Sequence, residues 1–240
     1  MIHFFIKPKI HVDCFTDRRD VIEYAPVVNA IEVIPDWWKA LPKGDTSNSF
    51  YPQPTMKTCA GMVDYYAKSI VLPLWSELCV NVVNGTYRWQ YSDEVSDAVV
   101  HSTNQYKGFL DDCQYGHVKL ISPWIFTSKQ DVNWIFTDPV YNRKEFRNYT
   151  FMQGLLNFSR QLHTNVQLLI DLSVNRTFTI PFKTPFLITP LADKKIVVHR
   201  HLVSTSDIES KRQRSNSFTF INKYKNSQKI NKCPYKERIK

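Results

Sequence analysis

From His117 to Pro190 the chain is written in short apolar runs, and this constrains its fold more than any other feature. The runs are His117 to Ile121, Trp124 to Thr127, Trp134 to Thr137, Gln167 to Leu172, Thr177 to Ile180 and Phe186 to Thr189. Breakers stand at Ser122-Pro123, Asp138-Pro139, Pro181, Pro185 and Pro190. Short runs rich in β-branched and aromatic residues, bounded by proline and asparagine, are the pattern of an antiparallel sandwich or barrel. With only 6 Gly in 240 residues, a tightly turned small barrel is the less favoured of the two. No internal repeat is visible, which sets aside solenoids and propellers.

Upstream, Leu78 to Val83 and Thr86 to Tyr91 flank Asn84-Gly85, a dipeptide that takes the positive φ values of a two-residue type I′ turn, so a hairpin is expected. In its second strand Tyr87, Trp89 and Tyr91 share one face and Thr86, Arg88 and Gln90 the other; the aromatic row is expected to face the core. Near the start, Phe4 to Ile6 and Ile10 to Cys14 read as strands. Pro35 and Pro42 with Gly44 bracket a short helix around Trp37 and Trp38, of which only one is expected to be fully buried. Asp45 to Gln53 reads as a loop, and Met56 to Ala67 as a helix with Met62, Val63 and Tyr66 inward. Asp93 to Val100 reads as a charged, helical link.

The formal net charge of +9 is unevenly placed. Residues 1–192 carry 18 Lys plus Arg and 18 Asp plus Glu, whereas residues 193–240 carry 13 and 4. The expected organisation is therefore a neutral body over 1–192 and a basic extension over 193–240. Within the extension, Lys194 to Val203 continues as a strand, Ser204-Thr205-Ser206-Asp207 starts a helix, and Lys211 to Ser217 is expected to be polar and mobile. No stretch approaches the roughly 18 consecutive apolar residues of a membrane span, so no membrane partner is expected. Met1 to Pro8 lacks the pattern of a signal peptide, and the five cysteines are odd in number and widely spaced, which points to cytoplasmic folding with reduced thiols.

Several blocks carry a resemblance when taken in order. They are Ile34-Pro35-Asp36-Trp37-Trp38-Lys39-Ala40-Leu41-Pro42, Thr55 to Cys59, Leu72-Pro73-Leu74-Trp75-Ser76-Glu77, Tyr115-Gly116-His117, Pro123 to Thr127, Trp134 to Arg143 and Ile180 to Leu191. The ordered set, spanning residues 26–203, resembles an uncharacterised domain-of-unknown-function family of bacteria and tailed phages. The resemblance implies a mainly β fold, an antiparallel sandwich of jelly-roll type with a few short helices, here with a basic C-terminal extension. It also implies a bacterial or phage setting, in the cytoplasm (the host's, if viral) or the virion, and carries over no catalytic residue. Where relatives tend to have glycine before the Thr/Glu-Pro of the late turn, this chain has Lys183.

The chemistry-bearing motifs are few. Gly-x-Ser-x-Gly, Gly-x-Gly-x-x-Gly and P-loop patterns are absent, which removes the nucleotide-dependent and nucleophile-elbow classes. His199 and His201 share one face of a strand, so both imidazoles are candidate ligands for one metal, as in cupin-like enzymes; His117, His101 or a carboxylate brought in by the fold would have to complete the set. Asp111-Asp112 diverge on a helix or strand and read as a solvated loop pair. Lys223, Lys225, Lys229 and Lys232, with Tyr224 among them, are candidate contacts to nucleic acid or a protein partner, the cations neutralising phosphates and the ring stacking on a base. Three functions follow: a binding or interaction protein, including self-association; a metal-dependent enzyme whose cofactor the sequence leaves unknown; and a virion or assembly component docking through its tail.

Overall fold

The computed structural model describes residues 9–45, 47, 51–102, 108, 114–138, 140–143 and 148–220, with the backbone alone over 214–220. The fold is mainly β, with several antiparallel sheets, short helices and no closed barrel among the described residues. In chain order the strands are β1 (Ile10–Thr16), β2 (Val28–Asn29), β3 (Gly44–Asp45), β4 (Gln53–Pro54), β5 (Ile70–Pro73), β6 (Leu78–Val83), β7 (Thr86–Tyr91), β8 (Asp97–His101) and β9 (Tyr115–Ile121). They continue with β10 (Ile125–Thr127), β11 (Asn133–Thr137), β12 (Tyr149–Phe151), β13 (Gly154–Asn157), β14 (Val166–Asp171), β15 (Arg176–Ile180), β16 (Pro185–Pro190) and β17 (Ile196–Leu202). The helices are α1 (Arg19–Tyr24), α2 (Asp36–Ala40), α3 (Ala60–Ala67) and α4 (Thr205–Phe220).

The sheets run β10-β1-β17, β13-β11-β16-β5-β2, β12-β14-β9-β8 and β15-β6-β7, with a small β3-β4 pair. Among the described strands only β1 and β17 pair in parallel, Ile10 opposite Ile196 through Thr16 opposite Leu202. Strand β17 is thus laid along the first described strand, and Ile196 joins the core of the body.

Inward residues of the four larger sheets share one core: Ile10, Val12 and Cys14 of β1, Leu78, Val80 and Val82 of β6, Val118 and Leu120 of β9, Leu168 and Ile170 of β14. In β6 the intervening Cys79, Asn81 and Val83 are exposed, the period of two expected for a strand with one wet face. The five-stranded sheet is covered on both sides. Ile70, Leu72, Phe186 and Ile188 face the shared core, while Val71 and Leu187 face a second cluster of Ala30, Trp38, Met62 and Tyr66 under the short helices. A strand buried on both faces has no polar alternation, which is why β5 reads as an unbroken Ile-Val-Leu run.

The expected hairpin forms, with Asn84 at φ 49° and Gly85 at φ 71°. Tyr87, Trp89 and Tyr91 pack on the core while Thr86, Arg88 and Gln90 are exposed. Of the two adjacent tryptophans, Trp38 is buried and stacks on Tyr66 at 5.4 Å. Trp37 is half exposed and ties down through its indole N–H to the Tyr141 carbonyl at 2.8 Å.

Three local expectations are corrected. The segment Met56 to Ala67 is not one helix: a 3-10 turn over Met56–Thr58, whose Lys57 N–H is held by the Thr55 hydroxyl, is divided from α3 by the extended Cys59. Val63 is consequently exposed, and Met62 with Tyr66 forms the inward pair. Asp93 to Val100 is not helical, because Asp93 Oδ1 accepts from the Val95 and Ser96 N–H groups and turns the chain into β8, which pairs with β9. Lys211 to Ser217 continues α4, a helix started by Ser204, whose hydroxyl accepts from the Asp207 N–H. The strand expected at Phe4 to Ile6 lies outside the described residues.

The late turn bears on Lys183. Thr184 N–H donates to the Pro181 carbonyl at 3.0 Å, closing a four-residue turn with Lys183 third, at φ 65°. That left-handed conformation favours glycine, so a lysine here carries local strain.

Candidate functional site

Among the described residues histidine falls in two regions of the fold, and the backbone decides what each can do. On β9, Gly116 lies under the Tyr87 ring: a Cβ there would clash with Tyr87 Cε1. Tyr87 also donates its hydroxyl to the His117 carbonyl at 3.3 Å. Strand β9 is thereby pinned to β7 on its core side, and the alternation of the strand puts His117, Lys119 and Ile121 on the other face.

His117 is 8% exposed and sits opposite His101 of β8 in register, the two rings stacked with centroids 4.5 Å apart. His117 Nε2 is 2.8 Å from Gln167 Oε1 on β14. An amide oxygen accepts there, which assigns the ring proton to Nε2 in the neutral form. Burial pushes the His117 pKa down; the Gln167 hydrogen bond opposes this, and His101 and Lys119 add to it. His101 Nε2 is buried and has no hydrogen-bond partner among the described residues.

These residues wall a groove of about 610 Å³. Its nitrogen-bearing lining is His101, His117, Lys119, His163 and Arg212, joined by the amides Gln153, Gln161, Asn165 and Gln167. Ile121, Phe136, Met152 and Leu156 supply the apolar part, and the described lining includes no carboxylate. One shoulder is held rigid by buried hydroxyls: Thr164 donates to Ser122 Oγ at 3.1 Å or to the Trp124 carbonyl at 2.9 Å, and the Ser122 N–H donates to Asn165 Oδ1. Arg212 arrives from α4, whose Ile208 is fully buried and whose Lys211 lies 4.1 Å over the Phe15 ring.

His199 and His201 share the outer face of β17, as their spacing predicts, but each takes a partner from β1. His199 Nε2 is 3.0 Å from His11 Nδ1, the rings stacked at 5.3 Å. His201 Nε2 is 2.8 Å from Asp13 Oδ1, and its ring stacks on Phe15 at 4.7 Å. His117, the third candidate ligand, stands instead with His101 in the β12-β14-β9-β8 sheet, so the three do not converge. Among the described residues no group of three or more His, Cys, Asp or Glu is placed to hold a metal ion.

A second groove, of about 540 Å³, runs past Arg143 and Tyr149 to Thr177 and Thr179. The cation in its described lining is committed: Arg143 Nη1 donates to both Asp138 oxygens at 3.0 and 2.9 Å, with the two side chains largely out of solvent and the guanidinium 4.5 Å over the Tyr149 ring. Burial raises the Asp138 pKa, and Arg143 opposes the shift. Cys14 is a buried thiol pushed up by desolvation, which makes it a poor nucleophile; Cys59 and Cys79 are exposed and free.

Asp111, Asp112, Lys223, Tyr224, Lys225, Lys229 and Lys232 lie outside the described residues. Sequence reasoning missed His11, Asp13, Lys119, His163, Gln167 and Arg212. Alternation in Ile10-His11-Val12-Asp13-Cys14 does place His11 and Asp13 on one face, yet their partners lie 188 residues away. Comparison with protein-family models, with curated proteins and with solved structures yields no match. No helix of the described residues is long and apolar enough to cross a membrane.

Proposed function

We propose that this chain is a binding protein, a phage-encoded β-sandwich of jelly-roll type from the uncharacterised family it resembles, and that it holds its ligand in the groove beneath His101 and His117. One observation carries the reading: a groove of about 610 Å³ gathers three histidines, a lysine, an arginine and four amides beside apolar side chains, with no carboxylate in its described lining. Pockets that hold small molecules combine apolar walls with a few placed polar groups, and a volume of several hundred cubic ångströms matches such a ligand. NMR of protein labelled at histidine tests it. A ligand in the groove shifts the His101 and His117 ring signals and leaves those of His199 and His201 in place; ligands that move only the latter pair overturn the reading.

The metal-enzyme reading is weakened because His117 stands apart from His199 and His201, and metal analysis after expression with Fe, Mn, Ni or Zn tests what is left of it. Docking of a virion or assembly component through Lys223 to Lys232 rests on the excess of 13 cations over 4 acids after residue 192. Its test is salt-dependent binding to DNA, RNA or protein by the full chain and by a truncation after Phe220. The cut keeps β17 and α4, because removing β17 would expose β1. Equal binding by both chains removes that role for the tail.

A further inference from the structure

We infer that the groove recognises the tetrahedral oxyanion of an organic phosphate or sulfate ester, and that His117, stacked on His101, takes up a proton as the anion binds. The inference rests on the groove being the ligand site. Its first support is charge: Lys119 and Arg212 are permanent cations, three imidazoles join them, and no acid in the described lining competes for them. The amides Gln153, Gln161 and Gln167 supply further donors suited to oxygen atoms. An ester fits better than a free inorganic ion, because Phe136, Met152 and Leu156 offer apolar surface that only an organic group would use.

The second support is the stacked pair itself. Two imidazoles 4.5 Å apart cannot both hold a proton cheaply, and an arriving anion removes that cost by lying against both. The groups facing His117 are His101 from β8, Lys119 on its own strand and Gln167 from β14, with Arg212 of α4 and His163 elsewhere in the same lining. Without ligand, burial, His101 and Lys119 hold the His117 pKa down, against the Gln167 hydrogen bond; a bound oxyanion works against that downward shift. His101 Nε2, buried and without a hydrogen-bond partner among the described residues, gains an acceptor in the same event.

Titration calorimetry of the full chain with phenyl sulfate, phenyl phosphate, inorganic phosphate and a neutral methyl glycoside, in buffers of different ionisation enthalpy, tests this. Phenyl sulfate does not titrate in this range, so any proton taken up with it enters the protein; uptake of about one proton near neutral pH, with affinity falling as pH rises, is expected. The ester carrying the right anion binds more tightly than inorganic phosphate, and the sulfate and phosphate arms decide which anion that is. His117→Gln should abolish the uptake and weaken binding about tenfold, whereas Arg212→Gln, on the outer helix, should weaken it about tenfold and leave the uptake intact. Tight binding of either ester without proton uptake overturns the role of the pair. If the glycoside alone moves the His101 and His117 signals, the anion assignment fails and the groove stands as the ligand site; if nothing moves them, both fall.

Discussion

The two histidine regions use the same residue in the same kind of place, the outer face of a strand pair, and arrive at opposite chemistry. Where β1 meets β17, a carboxylate is built in: Asp13 accepts from His201, His11 and His199 pair with each other, and the rings lie in partial contact with solvent. In the groove, His117 is buried, hydrogen-bonds the neutral Gln167, and shares the described lining with Lys119 and Arg212. A histidine beside a carboxylate is satisfied within the fold. One whose described neighbours are amides and cations differs in kind, and that difference, more than any count of histidines, separates a structural cluster from a candidate site.

The comparison breaks most severely if the groove is dismantled while the other region is spared. Gly116→Val would drive a branched side chain into the Tyr87 ring and push β9 off β7. Overpacking of this kind costs about 1–3 kcal/mol or more, read as a lower midpoint in chemical denaturation. The His101 and His117 signals should move while those of His199 and His201 hold; a variant as stable as the parent would show that Gly116 does not set the position of β9. The next effect is in pH. Burial lowers the His117 pKa in the folded chain, so the unfolded chain binds the proton first. Stability therefore holds above the unfolded imidazole value and is lost as pH falls through it toward the folded one, with a slope of at most about 1.4 kcal/mol per pH unit for one proton. His117→Gln should flatten that part of the stability–pH curve, and an unchanged slope would assign the dependence to other groups.

These regions were unequally legible. Alternation and turn chemistry marked β6, β7, β9, β11, β14 and β16, because each has one inward face or a definite breaker beside it. The same alternation put His199 with His201. It missed β5, whose two buried faces erase the period, and the short β12 and β13, whose pairing depends on neighbours far along the chain. The groove was invisible for a related reason: His101, His117, Gln167 and Arg212 come from β8, β9, β14 and α4, and only sheet order brings them together. Tyr115-Gly116-His117 lies on β9, where the Tyr87 ring is seated on Gly116.

A control between the two regions is the late turn. Lys183→Gly relieves a left-handed φ of 65°, a conformation that costs a non-glycine residue about 1 kcal/mol, and it touches neither histidine group. It should raise the unfolding midpoint while leaving both sets of imidazole signals in place; a fall would mean that the Lys183 stem over Phe182, 5.2 Å from nitrogen to ring centre, contributes more than the strain removes.

The smallest effect is expected where the charges are already paired. Asp13→Asn leaves an oxygen able to accept from His201 and removes only the charge. Because both side chains are a third or more exposed, water screens the pair, and the loss should be about 0.5 kcal/mol or less, disappearing in high salt. Denaturation midpoints at low and high ionic strength measure it. A loss several times larger, persisting in salt, would mean that Asp13 holds β1 against β17 as a buried ion pair does. The contrast between a satisfied cluster and an unsatisfied groove would then be one of degree. A small, salt-sensitive loss beside a steep pH dependence at His117 places the electrostatic tension of this fold in the groove, where a ligand can relieve it.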